Sequence, residues 1–334
     1  MIVSRSLHFA AMSITIKEQN DLDAELSRRA TEGDSSAVSR ILSLHSMSIA
    51  SCAEALVKAA ENGHADCVRL LIPVSDPKNK DSQALFLAAD RGHIECVKLL
   101  IPVSDPKAMG SAALVAAAAN GHDGCVALLI PAASPKYDRS MALCKAAENG
   151  HENCIRLLIP VSDAKAADPS PLCWAVGGGH AECVKLLIPH SDPKAGSSFA
   201  LRFAADTGHA ECVKLLIPVS DPKAEKSQAL CWAARYGHVE CFKLLIPVSE
   251  PLLDNPELLS EAIANGYAGV VSAILSHDPS LIGLINLPKA IRSARKDGYD
   301  ELAALLFAKG EQLSLFGATP NAPRKRKKTA APRL

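Results

Sequence analysis

Hydrophobic residues recur along this chain in one motif, Ala-Leu-x-x-Ala-Ala-x-x-Gly-His-x-Glu-Cys-Val-Lys-Leu-Leu-Ile, which returns every 29 residues. Its Gly-His step falls at Gly63-His64, Gly92-His93, Gly121-His122, Gly150-His151, Gly179-His180, Gly208-His209 and Gly237-His238. A fixed period of this length is the signature of stacked supersecondary units, each too small to bury its own apolar face. Within the copy Ser227–Pro247, Leu230, Ala233 and Ala234 lie at helical spacing. Ser227–Arg235 is therefore expected to be a short helix with Ser227 as its N-cap. Gly237 follows where a chain leaving a helix needs a left-handed residue. Val239–Ile246 reads as a second helix. Its apolar residues Cys241, Phe242, Leu244, Leu245 and Ile246 cover most of the circumference, as for a helix buried between neighbours. Glu240 and Lys243 are left to pair on its exposed side. Pro247 ends that helix, and Asp-Pro-Lys, as in Asp221-Pro222-Lys223, makes a turn into the next copy.

The pattern decays at both ends. From Asp21 a degenerate pair carries Arg29-Ala30-Thr31-Glu32-Gly33-Asp34 in place of the usual step, polar enough for a unit with one face in water. Glu261–Tyr267 and Ser293–Tyr299 are two worn copies, and Glu301–Lys309 is the expected final helix. The expected organisation is a weakly ordered segment over residues 1–20, then a solenoid over 21–309, then a tail over 310–334. The solenoid would hold about ten units, the regular seven within 50–250. Three prolines, small residues and clustered charge mark the tail as disordered.

Composition changes the picture in three ways. Hydrophobic residues make up 48% of the 334 but aromatics only 4%, so the core must be aliphatic. The net charge of +0 is unevenly spread, because the stretch from Arg324 to the C-terminus holds only basic charges. The 11 Cys include seven at the repeat period: Cys67, Cys96, Cys125, Cys154, Cys183, Cys212 and Cys241. Packed helices lie about 8–10 Å apart, whereas disulfide-bonded Cα atoms lie within about 7 Å. These cysteines are therefore expected to be small buried apolar residues in a reducing compartment, cytoplasmic, or nuclear if the chain acts in a eukaryotic cell. No Cys-x-x-Cys occurs, so no metal is expected. No apolar run reaches membrane-spanning length. The N-terminal patch is too short for a convincing signal peptide, and Met12 is an equally good start. No cofactor is expected, and the chain is expected to be a monomer.

The repeated motif resembles the ankyrin repeat, whose usual form has Pro-Leu-His-x-Ala-Ala, then Gly-His, then a Val-Val-x-Leu-Leu helix. The resemblance covers about Asp21–Lys309. It implies an all-α, ankyrin-type solenoid and a non-catalytic protein-binding scaffold. The family's period is near 33 residues. The shortfall here lies between the Asp-Pro-Lys turn and the first helix, where the family places its β-hairpin, so the hairpins are expected to be shortened or absent. The family's His after Leu is replaced by Phe86, Val115, Cys144, Cys173, Arg202 or Cys231.

Candidate chemistry is sparse. The seven histidines stand one repeat apart and form a ladder, not a cluster. The resemblance gives them a structural role at the turn. No phosphate loop, nucleophile elbow, His-Glu-x-x-His or paired-carboxylate signature appears, so no enzyme is expected. Specificity should sit where the motif varies. One variable position runs Lys58, Leu87, Ala116, Lys145, Trp174, Phe203, Trp232, and the pair before Gly-His includes Asp90-Arg91 and Arg235-Tyr236. Trp, Tyr and Arg dominate binding hot spots. Arg91, Trp174, Phe203, Trp232, Arg235 and Tyr236 are the candidate contacts for an unidentified protein partner. The resemblance places the pair on a concave groove. In the tail, Gln312, Leu313, Leu315 and Phe316, in Gln-Leu-Ser-Leu-Phe, resemble the peptide by which bacterial replication and repair proteins dock on the sliding clamp. Arg324, Lys325, Arg326, Lys327 and Lys328 form a basic cluster suited to nuclear import, to nucleic acid, or to solubility alone.

Overall fold

A computed structural model describes residues 16–165, 170–250 and 257–315. The basic cluster Arg324–Lys328, Phe316, and residues 1–15 lie outside the described residues. The chain divides into two compact units, Met1–Trp174 and Ala175–Leu334.

In the first unit the helices are α1 (Ile16–Glu32), α2 (Ser35–Leu44), α3 (Ile49–Glu61), α4 (Ala65–Leu71), α5 (Asn79–Asp90) and α6 (Ile94–Leu100). They continue with α7 (Ala108–Ala119), α8 (Asp123–Leu129), α9 (Tyr137–Glu148), α10 (Glu152–Leu158) and α11 (Pro171–Gly177), within which the division falls. The second unit holds α12 (Ala181–Leu187), α13 (Ala195–Thr207), α14 (Ala210–Leu216), α15 (Ala224–Arg235) and α16 (Val239–Leu245). It ends with α17 (Glu257–Ala264), α18 (Ala268–His277), α19 (Leu287–Lys296) and α20 (Asp300–Leu315). Among the described residues no strand occurs. This is the all-α repeat solenoid expected, and among the described residues the connections between repeats hold no β-hairpin.

Each unit has two helix layers. In the first, α1, α3, α5, α7 and α9 pack in sequence, and α2, α4, α6, α8 and α10 form the layer behind. In the second, α13, α15, α17 and α19 form one layer, with α12, α14, α16, α18 and α20 behind. Paired alanines permit the close approach. Ala88, Ala89, Ala117 and Ala118 in the first unit, and Ala204, Ala205 and Ala233 in the second, are fully buried. The periodic cysteines and the second Leu of each Leu-Leu pair fill the space between layers. Burying each such Leu contributes about 1.5–3 kcal/mol.

The Gly-His step closes each first helix. In α15, Gly237 (φ 76) follows the C-cap Tyr236. Gly237 N donates to Ala234 O at 3.3 Å, and His238 N to Ala233 O at 2.8 Å, the paired bonds of a Schellman ending. The Asp-Pro-Lys turn forms as expected: Lys223 N donates to Asp221 Oδ1 at 3.0 Å, an Asx turn.

Three details differ from the sequence reading. Ser227 does not cap α15. It lies in a left-handed turn with Glu225 and Lys226 (φ 58, 51 and 57), fully buried, and its Oγ accepts from Glu250 N at 2.8 Å. The same turn occurs at Lys80–Ser82, Met109–Ser111, Asp138–Ser140 and Gly196–Ser198. It occupies the place of the missing hairpin and puts a three-residue kink near the start of α5, α7, α9, α13 and α15. Second, α1 starts at Ile16, so 16–20 are helical; its sequence is rich in helix formers and Glu25 pairs with Arg28 and Arg29 at 2.7 and 2.8 Å. Third, α20 runs through Leu315 rather than stopping at Lys309. Gly310 lies within it, and Leu287 packs where a side chain would stand: a Cβ there would meet Leu287 Cδ2 at 2.5 Å.

Candidate binding surface

The exposed side of the first-helix layer carries the variable residues of the motif. In the first unit these are mostly polar and tied across repeats. Arg91 is exposed, 3.9 Å from Glu61 and 3.6 Å from Asp90. Asn120 Nδ2 donates to Asp90 Oδ1 at 2.9 Å. Trp174 is half-buried, with Lys145 Nζ 5.4 Å above its ring, and Lys145 also pairs with Glu148 at 2.6 Å.

The second unit gathers the aromatic residues. Phe203 is half-buried and stacks on Phe199, centroids 5.6 Å apart and planes 13° from parallel. Arg202 lies between two rings, its Cζ 5.7 Å from the Phe199 centroid and 5.6 Å from that of Trp232. Its guanidinium donates to Gly196 O at 2.7 Å and to the Gln228 side chain. Such stacking on both faces orders a long side chain that would otherwise be free. Beside this cluster Arg235 and Tyr236 are exposed, Tyr236 at 51%. Arg235 reaches Glu261 on α17 at 3.4 Å. The structure thus places Phe203 on α13, Trp232 and Arg235 on the neighbouring α15, and Tyr236 at the C-cap of α15. Arg91 stands apart from Trp174 in the first unit, on a different helix and in its own ion-pair network.

Sequence reasoning missed two things here. Arg202, noted only as a departure from the resemblance, organises the aromatic cluster. In the first unit Met109 and Tyr137 are exposed at 75% and 55%. They line adjoining clefts of about 330 and 280 Å³ that share Phe86, Met109 and Ala112. The signal was present in the variable residues following each Asp-Pro-Lys turn, whose exposure depends on the left-handed turn.

The histidine ladder is half-buried, and its rings bond backbone one repeat away. His93 Nε2 bonds Glu61 O at 3.0 Å, His122 Nε2 bonds Asp90 O at 3.0 Å, and His151 Nε2 bonds Ala119 O at 2.9 Å. In the second unit His209 and His238 repeat the bond to Gly177 O and Asp206 O at 3.2 and 2.8 Å. A carbonyl can only accept, so Nε2 carries the proton in each. The periodic thiols are equally unsuited to chemistry. Burial pushes Cys96, Cys125, Cys154, Cys212 and Cys241 up to about 11, far from the range of a reactive thiolate. Among the described residues no group of His, Cys, Asp or Glu is placed to hold a metal ion, and no helix is long and apolar enough to cross a membrane. The clamp-like peptide is not extended: Gln312, Leu313 and Leu315 belong to α20.

A family profile described as three copies of the ankyrin repeat matches residues 26–108, 56–140, 114–197, 143–226, 172–255 and 201–283. Among solved structures, the crystal structure of the human ASB11 ankyrin repeat domain is similar at 22% identity and a TM-score of 0.44, over 52% of this chain and 95% of that one. No curated protein matches the chain.

Proposed function

Given that the chain belongs to the ankyrin-repeat family, with matches spanning residues 26–283, we propose that it is a non-catalytic scaffold that binds a protein partner through the first-helix face. The fold alone supports protein binding, which is the general role of such repeats. The placement on this face rests on one observation. Exposed Arg235 and Tyr236 adjoin the cluster of Phe199, Arg202, Phe203 and Trp232. Pre-ordered aromatic and arginine side chains bind at low entropic cost. With the hairpins replaced by short turns, recognition falls to the helix faces.

The test is site-specific photo-crosslinking. A photoreactive residue at Tyr236 should capture the partner in cells, and one at Lys214, exposed on α14 in the other layer, should not. Capture from Lys214 alone would place the contact on the opposite face.

The tail would act as a second contact or an address. Docking on a sliding clamp through Gln312–Phe316 would require the last turn of α20 to unwind, a small cost at a helix end. Nucleic-acid association through Arg324–Lys328 rests on sequence.

A further inference from the structure

The terminal repeat presents a helix face that no further described repeat covers. Helix α19 (Leu287–Lys296) carries Lys289, Arg292, Arg295 and Lys296, all exposed. At 3.6 residues per turn the four fall within an arc of roughly 120°. Leu287, Ala290, Ile291 and Ala294 take the opposite side, with Ala294 buried. Among the described residues none of the four cations lies within ion-pair distance of a carboxylate. Asp297, at the C-cap, falls outside the arc and accepts from Ser293 Oγ at 3.3 Å. Asp300 and Glu301 belong to α20 in the other layer. On the neighbouring first-layer helix, Glu257 is exposed and Glu261 pairs with Arg235.

A polar face at the end of a stack is expected, because no further repeat covers it. Arg295 occupies the motif position of Ala205 and Ala234, which are buried in internal repeats. Capping requires polarity, however, and not one sign of charge. Mixed charges would serve as well and would avoid the mutual repulsion of four cations on ten residues.

We propose that the α19 face binds the phosphate backbone of a nucleic acid. Lys289 to Lys296 span about 10 Å of helix axis, and that length of duplex carries roughly six phosphate charges. The arc holds no apolar or aromatic residue other than Pro288, so it lacks the anchor a protein partner would need. A phosphate backbone needs only charge and donors. The chain beyond Glu311 adds only basic charges, Arg324–Lys328 and Arg333, which extends the same chemistry in sequence.

The experiment uses the full chain and a fluorescent 20-base-pair duplex of arbitrary sequence, with anisotropy read between 50 and 200 mM salt. The pair Arg292→Gln and Lys296→Gln should weaken binding about tenfold at low salt and lower the salt slope by about two. A control pair with the same change in net charge, Lys214→Gln and Lys243→Gln in the other layer, should leave both within twofold. Unchanged circular dichroism would confirm that both pairs fold. Equal losses in the two pairs would reduce the effect to net charge and overturn the proposal. So would no measurable binding by the unaltered chain. Equal or tighter binding to phosphatidylserine vesicles or to polyglutamate would overturn it in favour of a lipid surface or an acidic protein.

Discussion

The imidazole of His238 lies directly against the backbone of Gly208, one repeat earlier: a Cβ on Gly208 would stand 2.5 Å from Nδ1. The same ring holds Asp206 O at 2.8 Å through Nε2. Gly and His of the Gly-His step are therefore partners across repeats rather than within one. The glycine must be left-handed (φ 80) to end its helix and must also be bare to receive the next repeat's ring. Gly237 and Gly266 receive Tyr267 and Tyr299 in the same way. A flat ring is what the packing requires, and the imidazole adds a bond.

Gly208→Ala should thus cost more than the left-handed penalty of about 1–2 kcal/mol. Gly298, with φ 81 and nothing within 4 Å of its would-be Cβ, provides the comparison. Urea unfolding should give Gly298→Ala only that penalty and Gly208→Ala at least about 1 kcal/mol more, the usual scale of overpacking. Adding His238→Ala to Gly208→Ala should recover part of the excess, a coupling read from the double-mutant cycle. Equal costs at the two glycines would refute the close-contact role.

Buried Ser227 is the acceptor for Glu250 N, and Ser82, Ser111, Ser140 and Ser198 hold Asp105, Ser134, Asp163 and Asp221 in the same way at 2.8–2.9 Å. Ser227→Ala would leave a backbone donor without its acceptor. The expected loss is about 1–3 kcal/mol, with faster amide exchange at Glu250. Protection at Glu250 that survives the substitution would contradict the assignment.

The left-handed turns carry residues with a Cβ where glycine would sit without strain. Two copies already place glycine in the turn, at Gly110 and Gly196. Lys226→Gly, at φ 57, should therefore stabilise the chain by about 0.5–1 kcal/mol, seen as a higher urea midpoint at unchanged slope. A lower midpoint would mean that the turn is not left-handed in solution.

Much of this was legible. The 29-residue period, the helix pair and the loss of hairpins follow from Gly-His, Asp-Pro-Lys and the apolar spacing, because stacking imposes them on every copy. Ser227 was misread because a serine before a helical run is ordinarily its N-cap. Only the fold brings Glu250 N over its hydroxyl. Of the candidate contacts, variation in the motif picked out Trp232, Arg235 and Tyr236. Arg202 escaped notice because its role depends on Phe199, a turn earlier, and on Trp232, a repeat later.

The buried cysteines make stability fall at alkaline pH. Burial raises Cys96, Cys125, Cys144, Cys154, Cys212 and Cys241 from 9.0 to about 11. The unfolded chain gives up these protons first, so the folded state gains stability that is complete below pH 9 and lost as pH rises towards 11. The urea midpoint should hold steady to about pH 9 and then fall, and Cys212→Ala should shallow the fall. A midpoint indifferent to pH between 9 and 11 would show that the thiols are not buried in solution.

Partner binding is proposed for the first-helix face of the second unit. Its most direct measurement is the affinity of the crosslinked partner, once identified, for the full chain carrying Arg235→Ala and Tyr236→Ala. Both side chains are exposed, so the fold should survive and the urea midpoint should not move. The expected result is a loss of affinity of at least about 30-fold, the scale of one hot-spot residue at 2 kcal/mol. Affinity within threefold of the unaltered chain, at an unchanged urea midpoint, would contradict the claim.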